Sequence, residues 1–385
     1  MNVASLARRV LVIVLVSCTA VAQQQKEPYR GAEKQPLTFN GAGREDPEPS
    51  GLTSISIGLF GPQGTGESQQ EQIWQGANLA IENANQAGGH RGLPFRLVSV
   101  WTENPWTGGA AKLIRSIYDE NLWAIIGGVD SATTHLAEQV VAKAQLVLVN
   151  PAATDRSIHA AKVPWMFSCV PGDNAIAPLI SIELKTRKLP FALVSSTGHD
   201  ARSFTKELKQ AFERDRLAPV AHVEFDPKSL SLTDVVRRIL ETKSEAVVVI
   251  ANADQTRDFI MKIRQSGYEK LIVTGPWLGN VAASPEMRNI LLPQLGDIPS
   301  DFRNEFVGRY GHEPNYAAAH AYDAANLLIT SIRKAGLNRA RILDAMRAQS
   351  PYNGVTGVIE WDALGQNRRT PRLAEIVRTG GHKSR

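Results

Sequence analysis

The sequence predicts an α/β protein built as two doubly wound parallel-sheet lobes, on three observations. The chain has 385 residues, too many for one compact core and the right number for two domains with ends. From Leu52 onward short apolar runs alternate with amphipathic stretches, the pattern of βαβ winding. The alternation restarts near Pro171, which splits it into two similar sets.

Taken in order, the first set reads as strand 54–60, helix 70–85, strand 95–101, helix 109–120, strand 123–127, helix 131–142 and strand 145–149. Ile73, Ala77, Ala80 and Ile81 fall on one helical face, the spacing of a core stripe. The second set reads as helix 175–185, strand 191–195, helix 201–214, strand 221–225, helix 232–242, strand 246–251, helix 255–266 and strand 271–274. Three further helices follow over 301–309, 317–334 and 339–347.

The N-terminus is of another kind. Arg8 and Arg9 precede an apolar run over 10–16, too short to span a bilayer and flanked like a secretory signal. Two cut sites are open. Leu15-Val16-Ser17-Cys18 reads as a lipobox with Cys18 lipidated, and Ala20-Val21-Ala22 reads as a site for ordinary signal peptidase. Residues 23–50 are polar, rich in Gln, Glu, Pro and Gly, and read as a disordered tether. About 30 flexible residues reach roughly 30 Å, which suits a domain held off a membrane and favours the lipoprotein reading. The mature protein is then exported, periplasmic or anchored on the outer side of the cytoplasmic membrane.

Composition and motifs exclude several classes. The formal charge is +5, part of it in Arg8 and Arg9, and no Lys/Arg cluster interleaves with aromatics, so nucleic acid is not expected as a partner. Cys18 and Cys169 are the only cysteines; Cys169 lies in an apolar run and reads as a buried inert thiol. The eight histidines show no H-x-x-x-H or H-E-x-x-H spacing, so no metal is expected. The Gly-rich stretch 61–66 lacks the features of a P-loop or dinucleotide fold. No G-x-S-x-G elbow occurs, and His199-Asp200 beside Ser195 and Ser196 lacks a triad's logic. No cofactor and no catalytic residue are expected.

Two segments carry the candidate site. Gly127-Gly128-Val129-Asp130-Ser131-Ala132-Thr133-Thr134 and Leu146-Val147-Leu148-Val149-Asn150-Pro151-Ala152-Ala153-Thr154 each join an apolar run to small hydroxyl residues. That is how a parallel strand delivers its carboxyl end to a helix start. Free N–H groups there, joined by Ser and Thr hydroxyls, form a neutral cradle for a carboxylate. The alternative for Ser131 and Thr154 is that they merely cap helices, and Asp130 reads as a cap that leaves Ser131 free.

These segments, and the Gly354-Val355-Thr356-Gly357 to Gly365 element near the end, resemble the leucine/branched-chain amino-acid binding family of periplasmic solute-binding proteins. The resemblance covers most of the chain. It implies a type I periplasmic-binding fold with a three-strand hinge, placed near 169–172, 289–293 and 355–357. The implied division is 1–22 signal, 23–50 tether, 51–169 and 290–354 first lobe, 170–289 and 355–380 second lobe, and 381–385 tail. It implies that Ser131 and Thr154 grip a ligand carboxylate, that Ala152 and Ala153 present backbone groups, and that Gln69 overhangs the cleft. The family's second-lobe Glu, which pairs the ligand ammonium after Gly-Pro, is replaced here by Trp277 after Gly275-Pro276. Trp277 reads as a stacking wall or a rim residue, and Asp200 as a substitute charge or a helix cap.

The function implied is capture of an amino acid or other small carboxylate by hinge closure and delivery to an ABC permease, without enzymatic turnover. A monomer suits that motion, and the membrane enters only through a lipid anchor. The rival readings are a ligand-sensing module for a receptor or regulator, an exported enzyme, and a degenerate, non-binding structural lipoprotein.

Overall fold

The computed structural model describes residues 39, 43–226, 228–278 and 286–376 and the backbone of 382–384. In chain order the elements are β1 (Ile55–Phe60), α1 (Gln69–Gln86), β2 (Phe95–Ser99), α2 (Pro105–Asp119), β3 (Leu122–Gly127), α3 (Ser131–Ala144), β4 (Val147–Asn150) and β5 (Met166–Ser168). Next come α4 (Asp173–Arg187), β6 (Phe191–Ser196), α5 (His199–Asp215), β7 (Ala221–Phe225), α6 (Leu232–Glu241), β8 (Ala246–Ile250), α7 (Ala253–Gln265), β9 (Leu271–Thr274) and β10 (Ile290–Gln294). The last are α8 (Ser300–Tyr310), α9 (Tyr316–Ala335), α10 (Arg339–Arg347), β11 (Tyr352–Gly354), β12 (Gly357–Ile359), β13 (Arg372–Ile376) and β14 (His382–Ser384).

The first lobe carries the parallel sheet β2-β1-β3-β4-β5, and the second the sheet β14-β13-β10-β9-β8-β6-β7, with β13 and β14 antiparallel at one edge. Central strands β1, β4, β8 and β9 are buried along their whole length, because helices cover both faces of such sheets. One large apolar cluster and a small one between α1, α8 and α9 fill the first lobe, and two fill the second, one on each face of its sheet. Helix α9 returns to the first lobe and lies on α1 almost backbone to backbone. A Cβ added at Gly76 would stand 2.0 Å from the Ala318 carbonyl oxygen, so only glycine permits this approach.

The chain passes between the lobes three times, and the structure moves two of the passages expected from sequence. Between β5 and α4 the passage lies at 169–172, where Cys169 packs in the first-lobe core and Val170 in the second. The expected second passage at 289–293 is instead β10, a full strand of the second sheet paired with β9 and β13. Its Leu-Leu run is core of the second lobe, and the passage is 295–299. The third lies beyond 355–357. Asp323 of α9 accepts from the N–H groups of Val355 and Thr356 (2.8 and 3.0 Å) and from the Thr356 hydroxyl (2.6 Å), and Ile359 and Trp361 join the first-lobe core. The chain crosses only afterwards, between Asn367 and Arg372. Asn367 donates to the Cys169 carbonyl (2.6 Å) and Trp361 to that of Ser168 (2.9 Å), tying the first and third passages together.

Two end segments also differ from expectation. The expected tether is docked over 43–50: the Asn338 amide donates to the carbonyls of Gly43, Arg44 and Asp46, Arg44 pairs with Asp344 and Arg91 with Glu48. Specific hydrogen-bond and ion-pair partners hold a stretch whose composition reads as disordered. At the other end, β14 pairs with β13 where 381–385 was expected to be a tail. The signal, Cys18 and the earlier part of the tether lie outside the described residues. Among the described residues no helix is long and apolar enough to cross a membrane.

Candidate functional site

Asp130 ends the β3 loop as the N-cap of α3 in a full capping box. Its side chain accepts from the Thr133 N–H (2.8 Å), and the Thr133 hydroxyl approaches the Asp130 N–H (3.2 Å). Capping by Asp130 leaves the Ser131 N–H at the positive end of the helix. That N–H donates to the carboxylate of Asp200 from the other lobe, at 3.2 Å to Oδ1 and 3.5 Å to Oδ2. The Ser131 hydroxyl accepts from the Asp155 N–H at 3.4 Å. Asp200 lies in the first turn of α5, whose N-cap is Gly198. The helix-cap reading of Asp200 is thereby corrected: its carboxylate reaches across the cleft. Burial pushes its pKa up to about 6, against the opposing hydrogen bond to Ser131.

Thr154 is buried at the end of the second motif segment, and its carbonyl accepts from the Asp173 N–H at 2.7 Å. Asp173 opens α4 in the second lobe and is fully buried. The Thr154 hydroxyl lies close enough to moderate its charge, but neither carboxylate oxygen of Asp173 completes a hydrogen bond, nor does the Thr154 hydroxyl. Burial pushes the Asp173 carboxyl far up, and the charges of Asp155, Asp200 and Glu207 add to the rise. An unpartnered buried carboxyl is costly.

Two first-lobe groups complete this region. Gln69 donates to the Val129 carbonyl (3.4 Å) and accepts from the Tyr316 hydroxyl (3.2 Å). Burial raises the Tyr316 pKa, and the nearby Asp200 and Asp173 raise it further. Tyr316 and Asp173 were not singled out from the sequence. Asp173 follows Pro171-Gly172 and reads there as ordinary passage chemistry; only its burial distinguishes it.

A family model described as a periplasmic binding protein matches residues 54–382. The chain belongs to that family. It is 23% identical over 335 residues to an amino acid binding protein of Pseudomonas aeruginosa, covering 82% of this chain and 87% of the relative. Among solved structures it is similar to the branched-chain amino acid transporter substrate binding protein LivJ from Streptococcus pneumoniae in complex with isoleucine. There the TM-score is 0.77 at 20% identity, over 86% of this chain and 99% of that one. A solute binding protein of an ABC transporter from R. palustris in complex with benzoate gives 0.76 at 20% identity, over 86% and 95%. The two-lobed type I fold expected from the sequence is thus the fold observed.

Within this periplasmic binding protein, the structure gathers Ser131, Thr154, Asp200 and Gln69 at one place and sets others apart. The N–H groups of Ala152 and Ala153 both donate to the Asn150 side chain (3.0 and 2.8 Å). Of the backbone groups these residues were expected to present, the two N–H groups are taken by Asn150, which uses them to shape the turn. Trp277 is only 6% exposed and sits in the second-lobe core, edge-on to Phe204 with ring centroids 5.6 Å apart. Its burial corrects the rim reading. Cys169 is buried, which pushes its thiol pKa well up and leaves it unreactive.

Proposed function

We propose that this chain is an exported solute-binding protein that captures an amino acid, or another small carboxylate bearing an amine, and hands it to an ABC permease. The observation that carries this reading is the pairing of unlike groups across the cleft. The first lobe offers the Ser131 N–H at a helix start; the second offers the orphan carboxyl of Asp173. A zwitterion satisfies both. Its carboxylate would take the Ser131 N–H and the Thr154 hydroxyl, and its ammonium would lie against Asp173. Asp200 holds the Ser131 N–H in this structure and would turn to the ammonium once a solute carboxylate replaces it. Gln69 and Tyr316 fix the first-lobe wall, and Trp277 backs the second. The similar proteins that hold isoleucine and benzoate both hold carboxylates, which supports the first half of this reading.

Closure then stores the binding energy, since contacts from both lobes form only when they meet. The permease reads the closed shape, and the solute leaves unchanged. A monomer is sufficient, and export follows from the N-terminal signal, with or without lipid on Cys18.

Thermal melts of the full chain against amino acids, amines and amine-free carboxylates test this. A solute at 100 times its dissociation constant should add about 2.7 kcal/mol of stability. The expected result is a rise in midpoint with one or more amino acids, and little with matched amines or carboxylates alone. A rise only with amine-free carboxylates removes Asp173 from the solute's ammonium. A flat response across all three classes removes the binding function as stated.

A further inference from the structure

Beside the solute region, a second group of side chains converges from both lobes. His135 projects from α3 and Asp155 follows the Ala-Ala-Thr turn, both in the first lobe; His199 opens α5 in the second. Their ligand atoms all lie within 4.8 Å of one another. The two histidines aim at one oxygen. Nε2 of His199 is 3.2 Å and Nε2 of His135 is 3.9 Å from Oδ2 of Asp155. It is the one such cluster among the described residues. No sequence motif announces it, because the three residues are 20 and 44 positions apart in a chain folded twice between them.

We propose that His135, Asp155 and His199 form a site for a divalent transition metal of the zinc class, which clamps the two lobes in the closed arrangement. Three protein ligands of this type with one position left for water is a familiar zinc set. Ligand atoms about 2.0–2.1 Å from a tetrahedral zinc stand roughly 3.3 Å apart. The His199 to Asp155 distance already meets that; His135 must move in by about half an ångström toward Asp155, and a pair as far apart as the 4.8 Å limit must close by roughly 1.5 Å.

The surroundings support a built site. Metal-bound histidines almost always have the other ring nitrogen held by a carboxylate or carbonyl. Here Nδ1 of His135 faces the buried carboxylate of Glu138 at 3.5 Å, leaving Nε2 toward Asp155. The second oxygen of Asp155 is held by the Ser157 N–H at 2.8 Å, which points Oδ2 at the histidines. The Ser157 hydroxyl, 3.1 Å from Nε2 of His135, is the neighbour that a metal would displace. Asp155 is nearly buried, while the His199 side chain is about half exposed, so the cluster has an anionic floor and an entrance from solvent.

The bridge gives the site a consequence of its own. A metal held by ligands of both lobes binds the closed form and not the open one, so it shifts the closure equilibrium by its differential affinity. Solute and metal would then strengthen each other, and by linkage equally. The proposal does not depend on which solute the cleft takes.

The test uses the full chain with cobalt(II) as a spectroscopic probe and zinc(II) as competitor. The expected result is one equivalent of cobalt with the strong visible absorption of a four-coordinate nitrogen–oxygen site, discharged by zinc. His199→Ala and His135→Ala should each weaken zinc at least about 100-fold, beyond the 10–100-fold typical of losing a supporting group. Glu138→Gln should weaken it about tenfold. Melting curves without metal confirm that each variant is folded, and Asp155→Asn serves if one is not. Small-angle scattering should show zinc reducing the radius of gyration of the wild-type chain and not of His199→Ala. No stoichiometric binding, or binding unmoved by both histidine variants, overturns the site. Binding lost with His135→Ala and kept with His199→Ala overturns the clamp.

Discussion

The two lobes are wound alike and equipped oppositely. At the cleft the first lobe presents neutral donors: the Ser131 N–H, the Thr154 hydroxyl, Gln69 and Tyr316. The second presents acid, Asp173 fully buried and Asp200 partly buried, each with its pKa raised by desolvation. Neither set makes a site alone. Under the proposed function, separating the charges between lobes makes recognition of a zwitterion and closure one event. The same division places a cluster of two histidines and an aspartate astride the rim, two ligands on one side and one on the other.

The comparison breaks most sharply at Asp173. Breaking a buried ion pair by removing one partner costs about 3–5 kcal/mol, so Asp173→Asn should weaken an ammonium-bearing solute at least about 100-fold by calorimetry. Without solute the melting midpoint should hold or rise, because an orphan carboxyl has been removed. A lower midpoint with unchanged affinity would make Asp173 a structural group and leave the second lobe without its assigned charge.

Acid should separate the lobes next. His159 and His320 in the first lobe are fully buried, and burial pushes each pKa down to about 4. His159 bonds the Leu364 carbonyl (3.0 Å) and the Ser168 hydroxyl (2.8 Å) at the interlobe passages. In the unfolded chain each titrates near 6.5. The unfolded state therefore binds protons first, so stability is complete above pH 6.5 and is lost as pH falls toward 4, by about 3 kcal/mol per histidine. The second lobe's His222 is exposed. Denaturant titrations from pH 7 to 4 should therefore show the first lobe, followed through Trp165 and Trp361, failing before the second. His159→Gln should flatten that slope; a slope unchanged in both His159→Gln and His320→Gln would assign it to other groups.

Packing offers a smaller effect confined to one lobe. Gly76→Ala would drive a methyl into the Ala318 carbonyl, and overpacking of this kind costs about 1–3 kcal/mol. The loss should appear as a lower midpoint for the first lobe with solute contacts intact. An unchanged midpoint would mean that α1 and α9 can slide apart freely.

Much of the fold was legible because it rests on local pattern. Alternating strands and helices, the Asp130 cap and the two motif segments are all read within a few residues of themselves. What stayed hidden depends on partners far away in sequence. The Leu-Leu run of β10 reads the same whether it belongs to the first lobe or the second; only its pairing with β9 and β13 decides. Ala152 and Ala153 occupy the right place, yet Asn150, two and three residues earlier, has taken their N–H groups. Asp200 was visible as a charge near the cleft, but its bond to Ser131 spans 69 residues. Asp173 and the His135, Asp155, His199 cluster are defined by burial and convergence, which spacing along a chain does not encode.

The weakest effect concerns the stretch just before β1, which belongs to the first lobe although its composition is that of a linker. One amide organises it. Nδ2 of Asn338 reaches the carbonyls of Gly43 (2.8 Å), Arg44 (3.3 Å) and Asp46 (3.2 Å), while Oδ1 accepts from the Arg341 N–H (3.0 Å) as the cap of α10. Asn338→Ala should cost about 1 kcal/mol, the usual value of a lost cap, and should also release the segment. Asn338→Asp separates the two roles, because the carboxylate still caps the helix and no longer donates to the three carbonyls. With Asn338→Asp the midpoint should stay near wild type, while hydrogen exchange at residues 43–50 rises to the rate of an unstructured chain. If exchange there stays slow, the Arg44 to Asp344 and Arg91 to Glu48 pairs hold the segment without the amide, and its attachment to the first lobe is electrostatic.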